Sequence, residues 1–220
     1  MYPCASQNDK DFKNLMSVYM DAVFYPQIYN HEEIFLQEGW RYDIKNPEDE
    51  IKINGVVYNE MKGAFSDPQQ ILLRVIMHSL YPDTPYGFES GGDPKYIPDL
   101  SYDEFLKFHS EFYHPSNSYI LIYGDCDMSE RMDWLDKEYL ANFEYNAFNT
   151  SIPYQAPFNT PRVVNEYYQI DKSTPLENKT FFSYNVSFPT TLEPKLMLAM
   201  GILTTILLDN PGAPLKQALI

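Results

Sequence analysis

Two incompatible periodicities of apolar residues occur in this chain, and together they limit the folds open to it. Phe12, Leu15, Met16, Tyr19, Met20, Val23 and Phe24 recur at three- and four-residue spacing, which gathers them on one face of a helix. Phe182, Tyr184, Val186 and Phe188 instead alternate with Ser183, Asn185 and Ser187, the two-residue repeat of a half-buried strand. A chain carrying both repeats must build helices and a sheet.

The punctuation between these repeats sets the order of elements. Asn8 is placed to cap the first helix and Pro26 stops it. A second helix is expected from about Asn30 to Gly39, with Glu32 and Glu33 in its first turn, where the helix dipole favours acids. Short strands follow at Trp40–Ile44 and Ile51–Ile53. Helices are then expected at Val56–Phe65 and Pro68–Leu80, the second opened by a proline whose missing N–H would be unpaired there in any case. Ser101 and Glu104 form a capping box for a helix reaching Tyr113. The apolar run Tyr119–Tyr123 reads as a strand buried on both faces, and Asp127 caps a helix running to Phe143. Residues 144–161, with Pro153, Pro157 and Pro161 among Asn and Gln, read as an extended linker. Beyond it lie strand-like segments at 163–170 and 182–188, then a helix from Leu192 to Leu208 that is apolar nearly all round and needs cover. The last residues, from Pro214 to Ile220, read as the start of a further helix. This order is α+β rather than a strict βαβ alternation.

Composition narrows the function classes. The 220 residues hold 31 acids and 16 bases, a net charge of −15, so the phosphate backbone of a nucleic acid would repel the chain. The same field favours cationic partners such as basic peptides. Cys4 and Cys126 are far apart and belong to no CxxC or Cys/His cluster, which fits two reduced thiols in a cytoplasmic or organelle-matrix-like compartment. Met1-Tyr2-Pro3-Cys4 has neither the basic nor the apolar region of a signal peptide. The run Leu196–Leu208 is shorter than the roughly 20 residues a membrane span requires. Three Asn-x-Ser/Thr triplets, at Asn149, Asn178 and Asn185, are read as chance in a chain with no secretory signal.

Few positions carry potential chemistry. On the helix expected at 56–65, Val57, Met61, Ala64 and Phe65 form an apolar arc and Glu60 falls on its flank. A carboxylate facing a core must be neutralised, paired or bound to a cation, so Glu60 is read either as an ion-paired or snorkelling acid or as a metal ligand. Glu38, between Ile34 and Phe35 on its helix, carries the same pair of readings more weakly. His31, His78, His109 and His114 include no pair four residues apart, so no helical His pair chelates a metal. His109, among Phe105, Phe112 and Tyr113, reads as a satisfied, semi-buried histidine. GxSxG, GxxxxGK[ST] and GxGxxG are all absent.

Longer segments resemble a known family. Gly55-Val-Val-Tyr-Asn-Glu60-Met-Lys-Gly-Ala-Phe-Ser-Asp67 is similar to the third-ligand segment of the presequence-protease branch of the insulinase/pitrilysin metallopeptidases. Tyr2-Pro3, the stretch from Lys10 to Ala22, Gln37–Arg41, Ser90-Gly-Gly-Asp-Pro94, Ile97–Leu100 and Phe112–Asn117 followed by Tyr123-Gly-Asp125 continue the resemblance in order and spacing. Past residue 162 it rests on the strand–helix order and on Pro214-Leu-Lys-Gln-Ala-Leu219.

The resemblance implies an antiparallel sheet with helices packed on one face, incomplete in this chain. It implies that residues 1–144 are the rear of a first peptidase-like domain, 145–161 the linker, and 162–220 the front of a second. It further implies a zinc endopeptidase that encloses short unfolded peptides, with Glu60 as one zinc ligand and Glu38 as a supporting acid near the site. The family's other two ligands and its general base lie in an H-x-x-E-H motif, which is absent here. The expectation is therefore a segment inactive by itself, completed by the remainder of a parent polypeptide, with exposed apolar surface able to drive oligomerisation. Two other readings stay open: a noncatalytic scaffold of the same fold, and an acidic module that captures cationic peptides.

Overall fold

The computed structural model describes residues 1–188 and 192–219. The chain divides into two compact units, Met1–Phe181 and Phe182–Ile220.

In the first unit, α1 (Asp9–Phe24) begins where Asn8 accepts a hydrogen bond from the Asp11 N–H. Its buried face carries Met16 and Phe24. α6 (Met128–Glu138), capped by Asp127, contributes Leu135, which is only 2% exposed. Arg131 of α6 is equally buried and pairs with Asp9, which raises its guanidinium pKa through that hydrogen bond. Just past α6, the Tyr139 hydroxyl donates to Asp21 at 2.8 Å, with the Ser17 carbonyl at 3.2 Å. Burial of Tyr139 and this bond to a carboxylate push its phenol pKa up. The helix expected to reach Phe143 breaks at Tyr139, and a short 3₁₀ turn, Leu140–Asn142, follows.

A second cluster joins α2 (Glu32–Glu38) to α5 (Tyr102–Phe112). Phe35 is buried, with ring centroids 5.9 Å from Tyr102 and 5.3 Å from Phe105. The Tyr102 hydroxyl donates to the Ile28 carbonyl, and the Trp40 indole donates to the Leu100 carbonyl at 2.8 Å. α5 starts with the expected capping box: Glu104 accepts from the Ser101 N–H while Ser101 accepts from the Glu104 N–H. Tyr2 meets Tyr113 hydroxyl to hydroxyl at 2.6 Å, and that bond pushes the Tyr2 pKa up to about 12.

Between these clusters, β1 (Arg41–Asp43) and β2 (Lys52–Asn54) pair antiparallel, with Tyr42 opposite Ile53. The connecting turn is tied by Asp49, which accepts from both the main-chain and side-chain N–H groups of Asn46. α3 (Val56–Ala64) and α4 (Pro68–Leu80) follow, the latter capped by Asp67. Helices and a small antiparallel sheet are thus the architecture, in agreement with the α+β class.

Three expected strands differ. Residues 119–123, 163–170 and 182–188 form no ladder; among the described residues the β1–β2 pair is the only sheet. The run expected to be buried on both faces is open to solvent, with Leu121 91% and Tyr123 92% exposed. Phe182, Tyr184, Val186 and Phe188 are exposed as well. A strand sends its hydrogen bonds to another strand, and no described segment lies beside these in register.

The segment 144–161 has no helix or strand and lies within the first unit. Hydrogen bonds fasten it there. Gln155 and Asp83 exchange two hydrogen bonds, at 3.0 and 2.6 Å, and Asn146 N–H donates to Ser116.

The second unit holds α7 (Pro194–Thr204), a π turn at Thr205–Asp209 and α8 (Pro214–Leu219). α7 is apolar on every side, and Met197, Leu198, Ile202 and Leu203 are exposed. Ala213 is the unit's one buried apolar residue among those described. Ile220, expected in the last helix, lies outside the described residues. No helix among the described residues is long and apolar enough to cross a membrane.

Candidate functional site

α3 is where sequence and geometry converge. Its start is held by a backbone contact rather than by side-chain packing. Gly55 precedes the first turn, and a Cβ placed on it would lie 2.1 Å from the Gly39 carbonyl oxygen, at the end of α2. That same oxygen accepts from the Tyr58 N–H at 3.4 Å. The Asn54 side-chain oxygen accepts from the Gly55 N–H at 2.9 Å and from the Asn59 amide at 2.6 Å, while its own amide donates to Asp43. The end of α2, the β1–β2 hairpin and the start of α3 are therefore one joint.

The far end of α3 is held differently. The Arg74 guanidinium lies 4.2 Å from the Phe65 ring centroid and pairs with Asp93 at 3.0 Å. A cation over a ring face is attracted by its quadrupole, and the carboxylate keeps the cation in place. Asp93 follows Gly92, whose φ of +88° is a left-handed conformation that glycine adopts without strain. Gly91 sits against Met61, one residue after Glu60: a Cβ there would lie 2.3 Å from the Met61 sulfur.

Glu60 itself is exposed, and it takes no hydrogen bond or ion pair among the described residues. The inward orientation expected from the apolar arc is not observed. No residue of α3 is fully buried: Met61, Ala64 and Phe65 are half-buried, with Gly91 against Met61 and Arg74 over Phe65, while Val57 is exposed. Glu38 is also exposed and accepts a hydrogen bond from the Gln37 side chain at 3.1 Å.

The histidines serve other ends. His109 bridges the Tyr29 hydroxyl (2.8 Å to Nδ1) and the Val23 carbonyl (2.9 Å to Nε2), so both ring nitrogens are partnered, as expected. The carbonyl takes the proton of Nε2, leaving Nδ1 to accept from the phenol. His114 caps its 3₁₀ turn through the Ser116 N–H, and His78 lies 3.2 Å from the Gly87 carbonyl. Among the described residues no three His, Cys, Asp or Glu side chains gather as a metal-holding group. The donor set therefore does not fit a metal site by itself. One free carboxylate supplies one ligand, whereas a catalytic zinc takes three from the protein.

An open groove of about 390 Å³ lies beside residues 115–120 and includes Ile120, Met132, Leu135, Leu140 and Phe143 in its wall. Its polar groups are the hydroxyls of Ser116, Ser118 and Tyr145; no carboxylate, imidazole, amine or thiol is in its wall to activate them. Two features escaped the sequence reading: the Gly39–Gly55 contact and the Arg74 bridge. Their only signals were a glycine at each end of the hairpin and the Ser90-Gly-Gly-Asp-Pro94 turn.

Protein HypA of Clostridium perfringens is 50% identical over 220 residues, covering all of this chain and 23% of that protein. Presequence protease 1, chloroplastic/mitochondrial, of Arabidopsis thaliana is 41% identical over 222 residues, covering all of the chain and 20% of its own length. The mitochondrial presequence protease of Danio rerio is 37% identical over 227 residues, with the whole chain and 22% of that protein covered. The chain thus spans about a fifth of the length of these relatives. The family described as Peptidase M16 inactive domain matches residues 99–220, more than half of the chain. With that match and whole-chain similarity to presequence proteases, the chain belongs to the M16 peptidase family.

Proposed function

We propose that this chain is part of a zinc endopeptidase that degrades short unfolded peptides, and that it has no peptidase activity alone. The observation that carries this reading is whole-chain identity of 41% and 37% with two proteins named presequence proteases. In this reading Glu60 is one zinc ligand of the complete protein and Glu38 a supporting acid. Two imidazoles and a general-base carboxylate come from outside the segment. Such a metal, when bound, lowers the pKa of its water and so supplies the nucleophile. The part played by this chain is to hold Glu60, exposed and unpaired, on a helix anchored at both ends.

Residues 1–144 are then the rear of one peptidase-like domain, 145–161 the linker and 162–220 the front of the next. The exposed apolar faces of 163–188 and α7 are surfaces that the remainder of the polypeptide covers, and that drive self-association when left bare. The names of the relatives, mitochondrial and chloroplastic, fit a reducing matrix-like compartment in which Cys4 and Cys126 stay as thiols. The acidic balance of 31 to 16 supports a cationic peptide as substrate and no nucleic acid as partner.

The match of residues 99–220 to a domain described as inactive favours a second reading, a noncatalytic scaffold. One experiment separates the two. The full-length protein and its Glu60→Gln variant are assayed for zinc content and hydrolysis of a basic unstructured peptide. The peptidase reading expects turnover by the full-length protein, loss of at least 100-fold in the variant, and none from residues 1–220 alone. A full-length protein without turnover supports the scaffold.

A further inference from the structure

We infer that Gly55 is a positioning residue, whose missing side chain lets the start of α3 close onto the end of α2 and thereby sets where Glu60 stands relative to Glu38. The inference rests on the reading of Glu60 as a site residue.

The conformation of Gly55 does not demand glycine. Its φ of 162° is extended backbone that any residue adopts. Space is what demands it. A Cβ would meet Gly39 O at 2.1 Å, Gly39 C at 2.7 Å and Trp40 Cα at 2.8 Å. All three are main-chain atoms, so no side-chain rotation relieves the overlap. The two segments would have to part by roughly 1 Å to restore ordinary van der Waals contact.

That displacement falls mainly on the start of α3, whose far end is held by Arg74 over Phe65. The Gly39 side is fixed by Trp40, which donates to the Leu100 carbonyl, and by Phe35 in the α2–α5 cluster. The Gly55 side is a helix that buries no residue and is held at its start by Asn54 and by the Tyr58–Gly39 bond. A Cβ at position 55 therefore moves α3, and Glu60 moves with it, about 7.5 Å further along the axis. A misplacement of about 1 Å at a reacting site can cost 10²-fold in rate.

Gly63 supplies the control. It lies on the same helix, and a Cβ there meets nothing within 4 Å. The experiment uses the full-length protein with Gly55→Ala, Gly63→Ala, Asn54→Ala and Glu60→Gln. Hydrolysis of a fluorogenic basic peptide gives kcat and KM separately, and amide exchange is followed at Tyr58. Gly55→Ala is expected to lower kcat 10- to 100-fold with KM within about 2-fold, and to speed exchange at Tyr58 at least 10-fold. Gly63→Ala is expected to change neither. Asn54→Ala adds no bulk and removes only the side-chain ties, so it covers the case in which Gly55→Ala does not fold; a 3- to 10-fold loss of kcat is expected. Wild-type kcat in a folded Gly55→Ala protein, or in Asn54→Ala if the former does not fold, overturns the inference. Turnover that survives Glu60→Gln overturns the reading of Glu60 instead, and the Tyr58 exchange still reports whether the joint has opened.

Discussion

α5 and the segment that follows it make an instructive pair. α5 satisfies its own backbone, and its first turn is closed by two residues three apart, Ser101 and Glu104. Residues 119–123, a few positions on, are as apolar as any strand and yet join no ladder, with Tyr119, Ile120, Leu121 and Tyr123 open to solvent. A helix finds its hydrogen-bond partners within four residues, whereas a strand needs a neighbour that its own sequence does not contain. Local structure in this chain is therefore complete where it is helical and waiting for partners where it is not.

The sharpest way to break this contrast is hydrogen exchange. In the 1–220 chain, amides at 119–123 and 182–188 are expected to exchange near the unprotected rate while those of α1 and α5 are protected. In the full-length protein the same strand amides should slow by about 100-fold or more, as they join a stable sheet. Equal exchange in both would mean that these segments are loops by nature.

Packing offers a smaller effect. Leu135 is 2% exposed and Leu121 is 91% exposed. In the 1–220 chain, Leu135→Ala is expected to cost about 2–5 kcal/mol in denaturant unfolding and Leu121→Ala within about 0.5 kcal/mol. If the two cost the same, the α1–α6 cluster is not the core.

Capping and titration give the smallest effects. Ser101→Ala should cost about 1 kcal/mol, with the loss localised to the start of α5. Hydrogen bonds from Ser101 hold the Glu104 carboxyl below its ordinary pKa. The contribution of that carboxylate is thus fully present above the unfolded value of about 4.3 and fades as pH falls through the folded one. Tyr139 behaves in the opposite sense. Its raised phenol stabilises below the unfolded value of about 10, and the contribution is lost as pH rises through the folded value. Tyr139→Phe should weaken the alkaline dependence, to which Tyr2 and Tyr29 also contribute, and leave the acid limb unchanged, as followed by thermal unfolding across pH.

The same division runs through the candidate site. Asn8, Asp67, Ser101 and Asp127 mark helix starts that the structure reproduces, since a cap acts within three residues. The helix bearing Glu60 was legible from the spacing of its apolar residues instead, since Gly55 supplies no side-chain cap. The burial of its apolar arc was not, because cover comes from elements distant in sequence, and here Gly91 and Arg74 cover only part of it.

What the amino-acid order determined alone was the set of helices, their caps, the acidic field and the segments that mark the family, all of them short-range or compositional properties. The tertiary structure decided that Gly39 and Gly55 touch, that Arg74 links Phe65 to Asp93, that Gln155 clasps Asp83, and that Glu60 faces solvent. Each of these depends on where the chain returns in space, and the hydrogen bonds and van der Waals contacts that settle it act only over a few ångströms.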